Sequence, residues 1–157
     1  MQSSKKMTDR KRRVHLPEGA AMTALIMTIF RANGRLLRCG DNLTRDLGIT
    51  AARWKVMGAI HDGPKTVSQI ARRFELTRQG VLWVVTALIK EGLVELIDNP
   101  DHKRAKFVQF TKLGWRVYEE TQRRQIAWVN AIASEFTVDE IRNANEVIER
   151  MGRAVVK

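Results

Sequence analysis

The sequence lacks the residue patterns from which most covalent, metal and catalytic sites are built. It has one cysteine, Cys39, which excludes an intrachain disulfide and indicates a reducing, intracellular setting. The three histidines, at positions 15, 61 and 102, are not paired as in a helical zinc site, so a metal site would have to assemble across a dimer. There is no glycine-rich phosphate loop and no nucleophile beside a histidine. We therefore expect no catalytic activity, no metal and no cofactor.

Long hydrophobic runs are also lacking. An apolar run over residues 20–30 follows a basic segment, which is the outline of a secretory signal. The run is too short to span a bilayer, and arginines follow it instead of a cleavage site. Pro17 and Glu18 before it are typical of a helix start. These features predict a cytoplasmic protein without membrane association.

Positive charge is abundant and unevenly distributed. The formal net charge is +11. Residues 1–13 carry +5 and residues 64–112 carry +4, whereas residues 113–157 are neutral. Charge kept only for solubility would not favour these two segments. The concentration of the excess there therefore predicts a polyanionic partner.

Residues 64–111 have the pattern of a helix-turn-helix followed by a β-hairpin. Thr66 and Gln69 form a capping box that begins one short helix, and Thr77 is the expected cap of the next. Gly92 stands where a left-handed residue ends that second helix. Two short apolar runs, residues 93–97 and 105–110, flank a segment rich in turn-forming residues. This order predicts a winged helix-turn-helix, a unit that places its second helix in the major groove of DNA.

The flanking segments are predicted to be helical. Apolar periodicity indicates a long helix over residues 17–47 and a second over residues 50–61. After the hairpin, one helix runs to about residue 134 and a capping box of Thr137 and Glu140 begins the last.

The predicted fold is therefore mainly α with a small β-wing. We divide the chain into a basic disordered arm (1–15), an N-terminal dimerisation helix (16–48), the DNA-binding winged helix (49–112) and C-terminal dimerisation helices (113–157).

The side chains expected to contact DNA lie on the second helix of the motif and around the wing. Arg78 and Gln79 are suited to read guanine and adenine, and Leu82 could touch a thymine methyl. Trp83 fits either a contact at the groove wall or packing against the wing or a partner subunit. The alternative for the basic wing is a merely solvated loop. The full predicted set is Lys65, Arg72, Arg73, Thr77, Arg78, Gln79, Leu82, Trp83, Thr86, Lys103, Arg104 and Lys106.

Four segments in sequence order resemble the MarR family of bacterial winged-helix regulators. They are ITAARWKVM, SQIARRFELTRQGV, LIKEGLVELIDNPDHKRAK and FTKLG. The resemblance covers nearly the whole chain. It implies a homodimer whose terminal helices interlock, a near-palindromic operator on double-stranded DNA, and release by a small, often phenolic or anionic, ligand or by an oxidant.

The chain departs from the family pattern at three positions. His102 stands two residues before Arg104, where an aspartate usually steadies the wing, and it introduces a weak pH dependence. Leu82 and Trp83 replace a frequent hydroxyl residue and a frequent basic residue, which shifts readout toward Arg78 and Gln79 or toward DNA shape.

The family's ligand response has less specific sequence support. Phe30, Trp54, Met57 and Trp128 are candidate ligand-lining residues and equally fit an ordinary core. Cys39 is interpreted as a small packing residue, with oxidant sensing as the alternative.

The main hypothesis is a ligand-released, homodimeric repressor. Two alternatives stay open: a weakly specific architectural DNA-binding protein, and a winged helix used for protein contacts.

Overall fold

A computed structural model of the protein describes residues 15–102 and 104–156. The basic arm, apart from its last residue, and Lys103 in the wing lie outside these ranges. The helices are α1 (Pro17–Leu43), α2 (Ala51–Ala59), α3 (Val67–Arg73), α4 (Arg78–Lys90), α5 (Lys112–Ala133) and α6 (Val138–Val155). The strands are β1 (Lys65–Thr66), β2 (Val94–Ile97) and β3 (Phe107–Phe110). The predicted class, mainly α with a small β-wing, is confirmed.

The chain divides into two units, one ending at Arg38 and the other beginning at Cys39. In the first unit, α1 exposes large apolar side chains, among them Met27, Phe30 and Leu36. In the second unit, the core lies among α2, α3, α4 and the sheet. Its fully buried side chains include Ile49, Val56, Met57, Ile70, Val81, Val85, Leu88, Val94 and Val108.

The first helix ends four residues earlier than predicted. It stops at Leu43, and a separate 3-10 helix, Arg45–Leu47, follows. Thr44 between them is fully buried, and its hydroxyl donates to the carbonyl oxygens of Gly40 and Ile49. A threonine hydroxyl that bonds to backbone carbonyl groups competes with the hydrogen bonds that would continue the helix. Gly48 then turns the chain in the left-handed conformation (φ 68°), which a glycine adopts without steric cost.

Both predicted capping boxes are confirmed. The hydroxyl oxygen of Thr66 accepts from the amide of Gln69, whose side chain accepts from the amide of Thr66. Thr137 and Glu140 repeat the arrangement at the start of α6. The predicted second helix is shorter than expected, because only Ala51–Ala59 is helical after the cap at Thr50.

The sheet has a third strand that sequence reasoning missed. The predicted hairpin of β2 and β3 is present, with Val94 opposite Phe110 and Ile97 opposite Phe107. In addition, β1 pairs antiparallel with the other edge of β3, with Lys65 opposite Val108. The strand order is therefore β1-β3-β2, and the segment before α3 is attached to the wing.

Arg124 on α5 ties this helix to the turn after α1. Its guanidinium makes two contacts with the carboxylate of Asp46, at 2.6 and 2.9 Å, and donates to the carbonyl oxygen of Leu43 at 3.0 Å. It also donates to Glu120 at 2.7 Å, and Arg123 contacts the same carboxylate. These two guanidinium groups lower the pKa of Glu120 from 4.5 to about 2.

We expect this network to make folding stability depend on acid. Because the pKa of Glu120 is lower in the folded chain, its stabilising contribution is complete above about pH 4.5 and is lost as the pH falls toward 2. Urea unfolding midpoints measured between about pH 6 and pH 2 should therefore fall less steeply for Glu120→Gln than for the wild type. Glu135→Gln, which removes a carboxylate outside the network, should keep the wild-type slope. Equal slopes for all three proteins would contradict the prediction.

Candidate nucleic-acid interface

One face of α4 packs into the core, so the opposite face points to solvent. Val81, Val85 and Leu88 are buried, and their spacing of four and three residues puts them on one face of the helix. The opposite face carries exposed Arg78, Gln79, Leu82 and Thr86 side chains. The side chain of Thr77 caps α4 by accepting from the amide of Gly80 at 3.1 Å. A rigid helix therefore presents the predicted reading residues to solvent.

The turn between α3 and α4 is tight. Glu75 has a φ of 52°, which makes it the one left-handed non-glycine residue in the part of the chain that the structure describes. The amide of Leu76 donates to the carbonyl of Ala71 at 2.9 Å, which closes the end of α3. The two helices are thereby held in the short-linked arrangement of a helix-turn-helix.

The exposed face of α4, the start of α3 and the wing together enclose a groove of about 570 Å³. Six predicted DNA-contacting residues line it: Arg78, Gln79, Leu82, Thr86, Arg104 and Lys106. The lining also includes Thr66, Val67, Ser68, Val85, Ile89, Leu96 and Ala105, none of which was predicted as a contact. Cationic, amide and apolar groups, the side-chain types that can read base edges, therefore share one surface.

Lys65, Arg72 and Arg73 form a second group, around a cavity of about 300 Å³ beside α3. Asp62 holds two of them, with its carboxylate 3.3 Å from Lys65 and 3.6 Å from Arg73. The hydrogen bond from the Lys65 ammonium lowers the pKa of Asp62. The group remains cationic overall, which suits phosphate contacts that position a protein on DNA.

Trp83 lies outside the groove lining and is 71% exposed. At this exposure it has little packing against the part of its own chain that the structure describes. A contact with the groove wall of DNA or with a partner subunit stays open.

The wing loop is braced from within by Asn99. This side chain is 92% buried, donates to the carbonyl of Ala105 at 2.9 Å and accepts from the amide of Asp101 at 3.0 Å. The amide of His102 donates to the backbone carbonyl of Asn99 at 3.2 Å, whereas the His102 side chain is exposed. Sequence reasoning missed this role, although an asparagine that bonds the amide two residues on is a known turn former.

We expect Asn99→Ala to loosen the wing. The variant loses two hydrogen bonds and leaves the carbonyl of Ala105 without its partner, so hydrogen exchange at the amides of Asp101 and Ala105 should accelerate. Affinity for duplex DNA should fall about three- to tenfold, since Arg104 would no longer be held beside α4. His102→Ala is the matched change in the same loop and should leave amide protection unchanged. Wild-type protection in Asn99→Ala would remove Asn99 from the wing's support.

The four candidate ligand-lining residues differ in burial. Met57 is fully buried in the core, while Trp54 is partly buried against it and donates its ring N–H to the Gln122 amide oxygen at 3.2 Å. Trp128 is half-buried on α5, and Phe30 is 64% exposed on α1. Met57 and Trp54 therefore have the contacts of core residues, and their ligand role stays a prediction.

Three further sequence predictions concern Cys39, metal binding and membrane association. Cys39 is exposed, so the interpretation as a packing residue is wrong within this chain. Across residues 15–102 and 104–156, no cluster of three or more histidine, cysteine or carboxylate side chains could hold a metal ion. Within the same ranges no helix has a long enough apolar stretch to cross a bilayer.

The fold and the groove define a winged helix-turn-helix, and comparisons with known proteins extend this. Residues 47–105 match the sequence profile of the MarR family. The chain is 34% identical to Rv2011c of Mycobacterium tuberculosis over 127 residues, which is 81% of this chain and 89% of that protein.

Two solved structures share the fold. A MarR mutant from E. coli, complexed with operator DNA, has a TM-score of 0.76 at 21% identity over 83% of this chain and 95% of its own. Staphylococcus aureus MarR in complex with salicylate and kanamycin has a TM-score of 0.76 at 16% identity, covering 87% and 93%. The chain therefore belongs to the MarR family of winged-helix transcriptional regulators.

Proposed function

We propose that this protein is a cytoplasmic, homodimeric repressor that binds a near-palindromic DNA operator and is released by a small phenolic or anionic ligand. The observation that carries the proposal is the groove between α4 and the wing, where Arg78, Gln79 and Leu82 face Arg104 and Lys106. The likeness to a MarR structure with operator DNA supports it. Lys103 and the arm segment from Lys5 to Arg13 lie outside the described residues and are proposed as further phosphate contacts, with an inert tail as the alternative for the arm.

The dimer is supported by the apolar side of α6. Ile141, Val147 and Ile148 are each more than 40% exposed, as is Phe136 just before the helix. Soluble monomers rarely expose a contiguous apolar stripe of this kind. A second copy of the chain would cover it, and a symmetric dimer matches a site with two-fold symmetry.

A charge on the apolar stripe tests the dimer. Ile148→Glu should convert the dimer to a monomer in sedimentation equilibrium, because a carboxylate would be buried at the interface. Asn143→Glu adds the same charge on the polar side of α6 and should leave the dimer intact. A dimer that tolerates Ile148→Glu would remove α6 from the interface.

Ligand release can be tested with salicylate as the probe, since it occupies the S. aureus relative. Salicylate should raise the melting temperature of the protein and weaken DNA binding, because a ligand that favours one arrangement of the dimer shifts its population. If it does neither while DNA binding persists, release by this class of ligand fails and the DNA-binding proposal survives.

The operator itself is tested by selection from random and genomic DNA near physiological salt, followed by sequencing. A two-fold symmetric motif with half-sites about 10 base pairs apart is expected. Binding without an enriched motif would instead favour the architectural alternative, which predicts a steep salt dependence and little base preference.

Repression is tested with a reporter gene fused to a selected site. Expression of the reporter should rise when the regulator is removed; a fall in expression would indicate an activator.

A further inference from the structure

We infer that Leu82 reads the C5-methyl group of thymine, so that each half-site contains a position where this methyl is required. The inference rests on the proposed DNA-binding function and specifies what the middle of α4 recognises. It concerns the base edge opposite Leu82 and no other contact in the groove.

Leu82 lies at the centre of the groove-facing side of α4. Arg78 and Gln79 stand one turn before it and Thr86 one turn after it, and all four line the same groove. Leu82 is 45% exposed, whereas other apolar side chains of the same helix are buried in the core. Polar reading residues therefore stand one turn before an apolar position.

Thr86 extends this apolar position. Its hydroxyl donates to the backbone carbonyl of Leu82 at 2.8 Å, so its one proton is used within the helix. The side chain retains a methyl group and lone pairs, and it offers no donor to a base. Two successive turns of α4 thus lack a hydrogen-bond donor at their groove-facing positions.

The rest of the groove lining is also partly apolar. Ile89 on α4 is 38% exposed and Leu96 on β2 is 46% exposed, and both belong to the groove lining. Water is a poor occupant of such a surface, and burial of an apolar group there is favourable.

Among the base edges of the major groove, only thymine presents an apolar group. Cytosine has only a hydrogen where thymine has this methyl, and its amino donor stands where thymine has the O4 acceptor. Adenine and guanine present polar atoms, and leucine offers them no partner, so burying them against it would leave them without a hydrogen bond. Leu82 therefore selects thymine over cytosine by contact with the methyl, and over the purines by leaving their polar atoms unpaired.

The test uses duplexes that carry the motif enriched by site selection, with thymines replaced one at a time by deoxyuridine. This removes the methyl and leaves base pairing unchanged. For the wild-type chain, one position in each half-site should lose about fourfold in affinity, or about fifteenfold when both half-sites are changed, as expected for burial of one methyl per subunit. In Leu82→Ala this position should lose its sensitivity to uracil, while Arg78 and Gln79 still give the same motif.

Leu113→Ala is the matched control, since Leu113 on α5 is also 45% exposed and lies outside the groove lining. It should retain the uracil-sensitive position, and both variants should keep wild-type helix content and melting temperature. A motif with no uracil-sensitive position, or one whose sensitivity persists in Leu82→Ala, would overturn the inference and leave the proposed function standing. Selection with no motif at all would overturn both.

Discussion

Replacing Gly114 with alanine is expected to lower the free energy of unfolding by at least about 3 kcal/mol. A Cβ added at this position would lie 1.7 Å from the carbonyl oxygen of Leu93 and 2.7 Å from its carbonyl carbon. Both atoms belong to the backbone, so no side chain can move aside. Leu93 itself is buried and its carbonyl accepts from the amide of Thr111 at 3.1 Å. Accommodating the methyl requires α5 to move away from the wing.

Thermal unfolding followed by circular dichroism measures this effect. For a chain of this length the predicted loss corresponds to a fall in Tm of roughly 10 °C. Gly58→Ala is the matched control, because Gly58 lies inside α2 and a Cβ there would meet no atom within 4 Å apart from its chain neighbours and the backbone of its own helix. That variant should be unchanged or stabilised by about 0.5–1 kcal/mol. If Gly114→Ala melts with the wild type, the close approach of α5 to Leu93 is absent in solution.

The contact at Gly114 illustrates what sequence reasoning could and could not predict. The start of α5 was predictable, because Thr111 is a local cap whose hydroxyl accepts from the amide of Gly114 at 3.0 Å. The need for glycine was not, since the atom it avoids belongs to Leu93, 21 positions away. The same Thr111 hydroxyl also donates to the carbonyl of Gly92 at 2.6 Å. Only the folded chain shows that one residue both caps α5 and fastens it to the end of α4.

Other features of the fold also separate into those set by neighbours in sequence and those set by distant contacts. Both capping boxes were predicted, and like the inward face of α4 they follow from neighbours three or four residues apart. The two-residue strand β1 has no periodicity of its own and exists because Lys65 pairs with Val108 on β3. Similarly, the length of α1 depended on the burial of Thr44, which its sequence neighbourhood does not reveal.

The candidate site was predictable to the same extent. The sequence located Arg78, Gln79 and Leu82 because helical phase alone puts them opposite the buried face. It did not locate Ser68 or Leu96, which join the groove only because α3 and β2 pack beside α4. Nor did it show that Asn99 fixes the loop carrying Arg104, because that role depends on the carbonyl of Ala105 lying within 2.9 Å.

Replacing Arg78 with alanine is expected to have the largest effect on base preference. Arg78 is exposed in the first turn of α4 and lines the groove, where its guanidinium can contact both acceptors of a guanine. Loss of such a contact costs about 5- to 150-fold in discrimination per half-site. Site selection with Arg78→Ala should therefore return the wild-type motif with one position per half-site relaxed. Arg116→Ala removes the same charge from an exposed position on α5 and should return the motif unchanged.

The pattern of losses separates the functions open to this fold. A sequence-specific regulator loses affinity at its own sites and keeps its weak affinity for unrelated DNA, because base contacts specify and phosphate contacts position. An architectural protein would lose affinity evenly on all sequences, and the slope of log K against log salt would flatten by about one for each phosphate contact removed. A winged helix used for protein contacts would show no dependence on DNA at all. Since Arg78 shares its groove with Leu82 and Arg104, the first pattern is the one that this geometry predicts.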